Sequence, residues 1–265
     1  MISMLTIPFL VCIVLVIIHV YFGSFVLKRG IIFIDLALAQ WAALGYLVGH
    51  WMGFENPGLL FMTAFGFTVF ASLLLAFLKE IYGKIKLLEA VIGVVYISAT
   101  SIAISLISIT GMEGHHLHEM LAGHILFIQP NELISAYALY GCIGLVLLKL
   151  HAQFVKPHTK FWDFIFYSLF GLVVTSSVKM VGVLLVFSFL VIPLLSVVLF
   201  KPDFKSDFKP QLIYGWIFGL LSSFFGLLAS MFFDIPPSFA IILVLIGTWF
   251  SCVITYKLNT PKSNT

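Results

Sequence analysis

The sequence predicts an all-α fold, a polytopic bundle of about eight or nine transmembrane helices, on three observations. Hydrophobic residues make up 62% of the 265 residues and charged residues only 9%, whereas a soluble domain carries about a quarter charged residues. Apolar runs of about twenty residues recur, each long enough to cross a hydrocarbon layer of about 30 Å. Basic residues collect between alternate runs. We therefore expect one transmembrane domain over residues 1–265.

The hydropathy profile and its polar breaks divide the chain into nine predicted helices. They cover residues 4–27, 31–51, 59–78, 87–110, 133–150, 164–178, 180–200, 211–231 and 238–256. The first is followed by Lys28 and Arg29 and by no small-residue cleavage site, which predicts a retained anchor and not a signal peptide. The sixth and seventh are separated only by three hydroxyl residues and Lys179. One span with a re-entrant piece is the alternative there.

The basic residues predict the orientation of these helices. With the N-terminus outside, five clusters lie on the cytoplasmic side, as the positive-inside rule requires. The clusters are Lys28/Arg29, Lys79/Lys84/Lys86, Lys149/Lys156/Lys160, Lys201/Lys205/Lys209 and Lys257/Lys262. Only Lys179 falls on the outer side. The sequence therefore predicts nine spans, an outside N-terminus, an inside C-terminus and an outer loop over residues 111–132.

Small residues in the apolar segments predict close helix contacts. Two pairs have the small-xxx-small spacing that lets helix backbones approach: Gly45 with Gly49, and Gly215 with Gly219. Three cysteines, an odd number without CxxC spacing, predict small core residues and no disulfide framework: Cys12, Cys142 and Cys252.

Motifs that would indicate an enzyme or a nucleotide site are missing. The GK dipeptide at 83–84 is followed by Ile85 and lacks the upstream glycine of a phosphate-binding loop, so any ATP must be bound by another chain. His118-Glu119 is followed by Ala122 where the zinc-protease motif HExxH needs its second histidine. The net charge of +3 gives no indication of nucleic-acid binding.

Polar groups at membrane depth are expensive and are therefore candidates for a transport path. They are His19, Asp35, Gln40 and Lys179. Asp35 and Gln40 lie about 140° apart around a regular helix, so either only one faces a polar interior or the helix has a π-bulge or break. The alternative for Asp35 is an interfacial anchor beside Lys28 and Arg29. The alternative for Gln40 is an interhelical hydrogen bond.

The predicted outer loop contains a second set of candidate ligands, in the stretch GMEGHHLHEMLAGH. Neutral imidazoles with carboxylates suit zinc, nickel or copper, and acid would weaken such a site. The candidates are His115, His116, His118, Glu119 and His124. In a helical turn His115 would face His118 and Glu119. The alternative is a solvated polar loop.

Four blocks of the sequence, in order, resemble one family. GSFVLKRGIIFIDLALAQWAALG (23–45) looks like the first-loop and second-span signature of the zinc/manganese-type permeases of ABC transporters. HEMLAGHILFIQPNEL (118–133) is similar to the outer-loop segment of that family, VGVLLVFSFLVIP (181–193) to its VG-LL--SLLIIP segment, and FFDIPPSFAIILV (232–244) to its YD-P-GP block. The resemblance spans nearly the whole chain.

Two departures from the family pattern concern the path and the docking loop. The family's second span usually carries an Asp followed four residues later by a His, whereas Asp35 is followed five residues later by Gln40, as in a variant branch with DLALAQ. The loop 151–162 is shorter than in relatives, and Pro157 interrupts any docking helix. The inner loops 78–86 and 201–210 are then the alternative docking sites for an ATPase.

The resemblance implies a homodimeric permease subunit of an ABC importer in the cytoplasmic (inner) membrane. It would work by alternating access with two ATPase chains that bind ATP, and receive zinc or manganese as substrate from an extracytoplasmic binding protein. The chain itself would bind no cofactor and be no enzyme. Asp35 would be the pathway carboxylate, Gln40 a neutral ligand or gate, and the loop histidines would gather metal. A metal chelate is the alternative cargo, and an ATP-independent carrier or a membrane enzyme is the alternative class.

Overall fold

The computed structural model describes residues 2–82, 87–110, 123, 125–155, 159–200 and 207–259. Within these residues there are nine α-helices, one short 3-10 helix and no strand. The elements are α1 (Ile2–Arg29), α2 (Ile34–Trp51), α3 (Pro57–Tyr82), α4 (Leu88–Thr110), the 3-10 helix η1 (Ile125–Phe127), α5 (Pro130–Val155), α6 (Lys160–Val181), α7 (Val183–Phe200), α8 (Phe208–Phe233) and α9 (Pro237–Asn259). The predicted all-α helical fold is confirmed.

Most helices run further than the hydropathy profile predicts. The third was predicted to end at residue 78 and the sixth to begin at 164, whereas α3 continues to Tyr82 and α6 begins at Lys160. The hydropathy profile falls where charged residues begin, but the helix itself can continue when those charged side chains form ion pairs. Lys79 and Asp163 lie in these extra turns and form an ion pair with each other.

The sixth and seventh helices are separate, and the break lies at Gly182. This residue has φ of 84° and ψ of 155°, a conformation that is accessible to glycine and strained for a residue with a Cβ. The break follows Val181, so Lys179 lies in the last turn of α6 and not between the helices. Gly123 packs against this break, because a Cβ there would lie 2.1 Å from the carbonyl carbon of Val181.

Eight of the nine helices are long and apolar enough to cross a membrane. The exception is α2, whose 18 residues include Asp35, Gln40 and His50. Twelve residues of α2 are buried, so the surrounding protein and not lipid forms most of its environment. A helix in that position need not be apolar. The predicted orientation of the spans stays a prediction.

The chain divides into two compact units. The first comprises Met1–Lys28, Ile125–Ile134 and Leu184–Thr265, and the second comprises Arg29–His124 and Ser135–Val183. In the second unit α2 packs against α3, α4 and α6, which explains its burial. The prediction of one permease domain over the whole chain stays a prediction.

In the first unit, glycines of α8 bring that helix against its neighbours. A Cβ on Gly215 would lie 2.8 Å from Val20 of α1, and one on Gly219 would lie 2.6 Å from Val16. Gly226 faces Ile241 of α9 in the same way, at 2.5 Å from its Cα. The predicted contact role of the Gly215 and Gly219 pair is confirmed.

In the second unit, Gly45 and Gly49 bring α2 against α3. A Cβ on Gly45 would lie 2.7 Å from the carbonyl oxygen of Thr63 and 2.8 Å from the Cα of Ala64. A Cβ on Gly49 would lie 2.5 Å from the hydroxyl oxygen of Thr63. The predicted contact is therefore confirmed, and it leaves no room for a side chain at either glycine.

The cysteines match the prediction in part. All three are free thiols. Cys12 and Cys252 are buried, whereas Cys142 is exposed in the single chain, so its predicted core position is wrong. The buried stripe of α5 follows Ala136, Tyr140, Ile143 and Leu147, and Cys142 lies beside that stripe.

We expect Gly45→Val to destabilise the protein by roughly 1–3 kcal/mol, because the new side chain collides with the backbone of α3. Gly66→Ala is the matched control, because nothing lies within 4 Å of a Cβ there, and it should gain up to about 1 kcal/mol from helix propensity. The measurement is the midpoint of thermal unfolding in detergent. Equal shifts in the two variants would contradict the close α2–α3 contact.

Candidate functional site

Asp35 lies in the first turn of α2 and is 1% exposed. Neither of its carboxylate oxygens has an ion pair or a side-chain hydrogen-bond partner among the described residues. The backbone N–H groups of Asp35 and Leu36 favour its charged form, at the end of the helix where the dipole also favours a negative charge. A buried carboxylate with so little compensation is stabilised when it binds a cation.

The segment that leads into α2 is held by a second carboxylate, Glu89 of α4. The backbone N–H of Ile32 donates a hydrogen bond of 2.5 Å to Oε1 of Glu89. The other oxygen, Oε2, is buried and has no hydrogen-bond partner among the described residues. The start of α2 is therefore fixed to the first turn of α4 only three residues before Asp35. Sequence reasoning missed Glu89, although it is the only acidic residue between 87 and 110.

Gln40 lies on another side of α2 and faces α4. Its Oε1 accepts a hydrogen bond of 3.4 Å from the hydroxyl group of Thr100, and the indole N–H of the next residue, Trp41, donates one of 3.0 Å to the carbonyl oxygen of Val95. The helix is α-helical from Ile34 to Trp51 without a π-bulge, so Asp35 and Gln40 stay about 140° apart. The two side chains do not form one ligand pair on this helix.

The alternative prediction, in which Asp35 is an anchor beside Lys28 and Arg29, does not match the structure. The guanidinium of Arg29 lies 3.5 Å from Oδ1 of Asp163 instead. The ammonium of Lys28 lies 5.3 Å from the ring centre of Phe208. Neighbours in sequence are therefore not the partners of Asp35, and its carboxylate stays without an ion pair among the described residues.

Asp163 is the best-compensated carboxylate in the second unit. Its Oδ2 lies 2.6 Å from Nζ of Lys79, and its Oδ1 faces Arg29. A second guanidinium nitrogen of Arg29 donates a hydrogen bond of 3.2 Å to the carbonyl oxygen of Phe154. We call Arg29, Lys79 and Asp163 the ion cluster. All three come from segments that the basic residues assign to the cytoplasmic side, and sequence reasoning missed their contact.

The remaining predicted residues are distributed as follows. His115, His116, His118, Glu119 and His124 lie outside the described residues, so their predicted metal binding stays a prediction. His19 is fully buried, and its Nδ1 lies 2.8 Å from the carbonyl oxygen of Leu15 within α1. Lys179 is exposed in the single chain. In the part of the chain that the structure describes, no group of three or more His, Cys, Asp or Glu side chains could hold a metal ion.

Comparison with known proteins identifies the family. A sequence model of the ABC 3 transport family matches residues 1–256. The chain belongs to the ABC 3 transport family. It is therefore a multi-pass permease of the cytoplasmic membrane, as the resemblance of its sequence blocks implied.

Relatives of this ABC 3 chain are distant in sequence but cover most of its length. It is 24% identical over 238 residues to the manganese transport system membrane protein MntC of Listeria monocytogenes, covering 84% of this chain and 80% of that protein. It is 28% identical over 239 residues to an uncharacterised membrane protein from the ycf23-apcF intergenic region of Cyanophora paradoxa, covering 82% of this chain and 77% of that protein.

Solved structures support the fold of this ABC 3 chain. PsaBC from Streptococcus pneumoniae in complex with Fab superposes with a TM-score of 0.75 at 20% identity, over 94% of this chain and 90% of the other. An inward-facing putative metal-chelate type ABC transporter superposes with a TM-score of 0.64 at 19% identity, over 94% and 85%. The helical fold is thus that of ABC transporter permeases.

We expect Asp35→Asn to leave the free energy of unfolding in detergent unchanged or to raise it by about 0–2 kcal/mol, because it removes a buried carboxylate that has no ion pair among the described residues. Asp163→Asn is the contrasting variant. It should destabilise by roughly 3–5 kcal/mol, because two cations lose their partner. A large loss of stability in Asp35→Asn would mean that this carboxylate has a structural partner.

Proposed function

We propose that the chain is the membrane-spanning permease subunit of an ATP-driven importer of divalent metal, and that Asp35 is the carboxylate of the metal path. One observation carries the proposal. Asp35 is a buried carboxylate without an ion pair or a side-chain hydrogen bond among the described residues, in a chain of a transport family. Such a group is costly unless a cation compensates it. A passing divalent cation supplies that compensation.

The chemistry of the donors favours manganese over zinc as the cargo. In the first half of α2 the polar side chains are a carboxylate and an amide, Asp35 and Gln40, and the only imidazole of this helix, His50, lies in its last turn. The resembling family usually has a histidine in place of the amide. Oxygen ligands suit manganese, whereas imidazole suits zinc. The named relative in Listeria monocytogenes is a manganese transport protein. Manganese is therefore the cargo that we propose, with zinc as the second candidate.

Two kinds of partner follow from the proposal. The sequence contains no phosphate-binding loop, so the ATP must be bound and hydrolysed by separate ATPase chains, and this chain is neither an enzyme nor the holder of a cofactor. Two copies of the permease would enclose one path, and an extracytoplasmic metal-binding protein would deliver the ion. Membership of the ABC 3 transport family disfavours an ATP-independent carrier. A chelate cargo is less favoured, because the named relative carries manganese.

The test of this proposal is ATP-dependent uptake of radioactive manganese into proteoliposomes that contain the chain with its co-purified ATPase and binding protein. We expect Asp35→Asn to lower the uptake at least about tenfold, since loss of even an outer-shell group at a metal site costs 10–100-fold. Glu55→Gln is the matched control, because Glu55 is exposed and follows the end of α2, whereas Asp35 lies in the first turn of that helix. Uptake by Asp35→Asn at the wild-type rate would contradict the path.

A second test addresses the histidine loop, which we propose gathers metal before it enters the path. Replacing His115, His116, His118 and His124 together by Asn removes the imidazole ligands and keeps the polarity of the loop. We expect the half-saturating metal concentration to rise about 10–100-fold while the maximal uptake rate is unchanged. A fall in the maximal rate at an unchanged half-saturating concentration would contradict a gathering role.

A further inference from the structure

The ion cluster joins the two ends of the connection between α5 and α6. Arg29 binds the carbonyl oxygen of Phe154, one residue before α5 ends. It also binds the carboxylate of Asp163, in the first turn of α6. Its guanidinium carbon lies 3.9 Å from the ring centre of Phe166, one turn further along α6. A single side chain is thus fixed to the residues on both sides of this connection.

Two members of the ion cluster, Arg29 and Asp163, are buried, and the third, Lys79, is partly exposed. The side chains of Arg29 and Asp163 are 8% and 5% exposed. A buried pair whose partners are fixed from several sides cannot exchange them for water without a large cost. Displacement of the first turn of α6 must therefore displace Arg29 as well or break the cluster.

Arg29 is joined to the proposed metal path by a short and restrained segment. It is the last residue of α1, and only residues 30–33 separate it from α2. Within this segment the N–H of Ile32 is bound to Glu89, and the N–H of Ile34 donates a hydrogen bond of 3.2 Å to the carbonyl oxygen of Ile31. Asp35 follows in the first turn of α2. These two hydrogen bonds restrain the segment between Gly30 and Asp35.

We propose that Arg29 and Asp163 are positioning residues that couple the α5–α6 connection to Asp35. When the ATPase partners move the cytoplasmic side of the permease, the ion cluster passes that movement to the first turn of α2 and so changes the access of Asp35. This inference rests on the proposed function, because it takes Asp35 as the group that meets the metal. It assigns no direct metal contact to Arg29 or Asp163.

A second ion pair between α3 and α6 serves as a matched control for the pair of Lys79 and Asp163. Lys160 of α6 and Glu80 of α3 form a salt bridge, and each side chain is 52% exposed. This pair also links α3 to the start of α6, but both of its side chains are exposed. Neither has a described contact with Arg29. Breaking it removes a link between α3 and α6 and leaves the route to Asp35 intact.

The experiment measures manganese transported per ATP hydrolysed by the complete complex in proteoliposomes. We expect Asp163→Asn to lower this ratio at least about fivefold, the lower range of a typical coupling free energy, while ATP hydrolysis continues. Glu80→Gln should keep the wild-type ratio. A proportional loss of uptake and hydrolysis in Asp163→Asn would indicate a purely structural role and would overturn the inference.

A second variant keeps the test decisive where Asp163→Asn does not fold. Arg29→Lys retains the positive charge beside Asp163 but lacks the planar fork that binds Asp163 and the Phe154 carbonyl together. We expect a folded complex with the same fall in the ratio. A wild-type ratio in Arg29→Lys would overturn the coupling route and leave the proposed function standing. Absence of manganese transport by the wild-type complex would instead overturn the proposed function.

Discussion

The structure of the second unit depends on the compensation of one buried charge. Asp163 faces two cations, Lys79 and Arg29, and Arg29 extends the same set of contacts to the carbonyl oxygen of Phe154. Removing Asp163 leaves two cations without their partner, which costs far more than either pair contributes to stability. Arg29 and Asp163 thereby hold together the end of α3, the end of α5 and the start of α6. Arg29 is also the last residue of α1, and α2 begins at Ile34 shortly after it.

Asp35 and Asp163 have different environments, and the difference is the basis for proposing a functional role for one and a structural role for the other. Both are buried in the same unit. Asp163 has cationic partners on both oxygens, whereas neither oxygen of Asp35 has an ion pair or a side-chain hydrogen bond among the described residues. A satisfied carboxylate gains nothing from a further cation, while an unsatisfied one gains a great deal. This difference, and not the depth of either residue, identifies Asp35 as the candidate for the metal path.

Local signals in the sequence predicted the helices well but not the partners of the charged residues. The nine helices and the contacts of Gly45 and Gly215 follow from hydropathy and residue size, which neighbours in sequence determine. The pairing of Asp163 with Arg29 and Lys79 spans 134 and 84 residues, and no local pattern encodes it. Proximity in sequence suggested Arg29 as a partner for Asp35, but in the folded chain Arg29 forms its ion pair with Asp163. The predicted angle of about 140° between Asp35 and Gln40 around the helix holds because α2 is a regular α-helix.

The low hydropathy of α2 is compatible with a membrane protein because other helices cover it. A helix that carries a carboxylate at membrane depth cannot face lipid, because the charge would then cost several kcal/mol. Burial by α3, α4 and α6 removes the helix from lipid, and the glycines of α2 allow α3 to approach until no Cβ fits between them. The packing that lets α2 exist in a membrane protein thus also permits the buried carboxylate on which the proposed metal path depends.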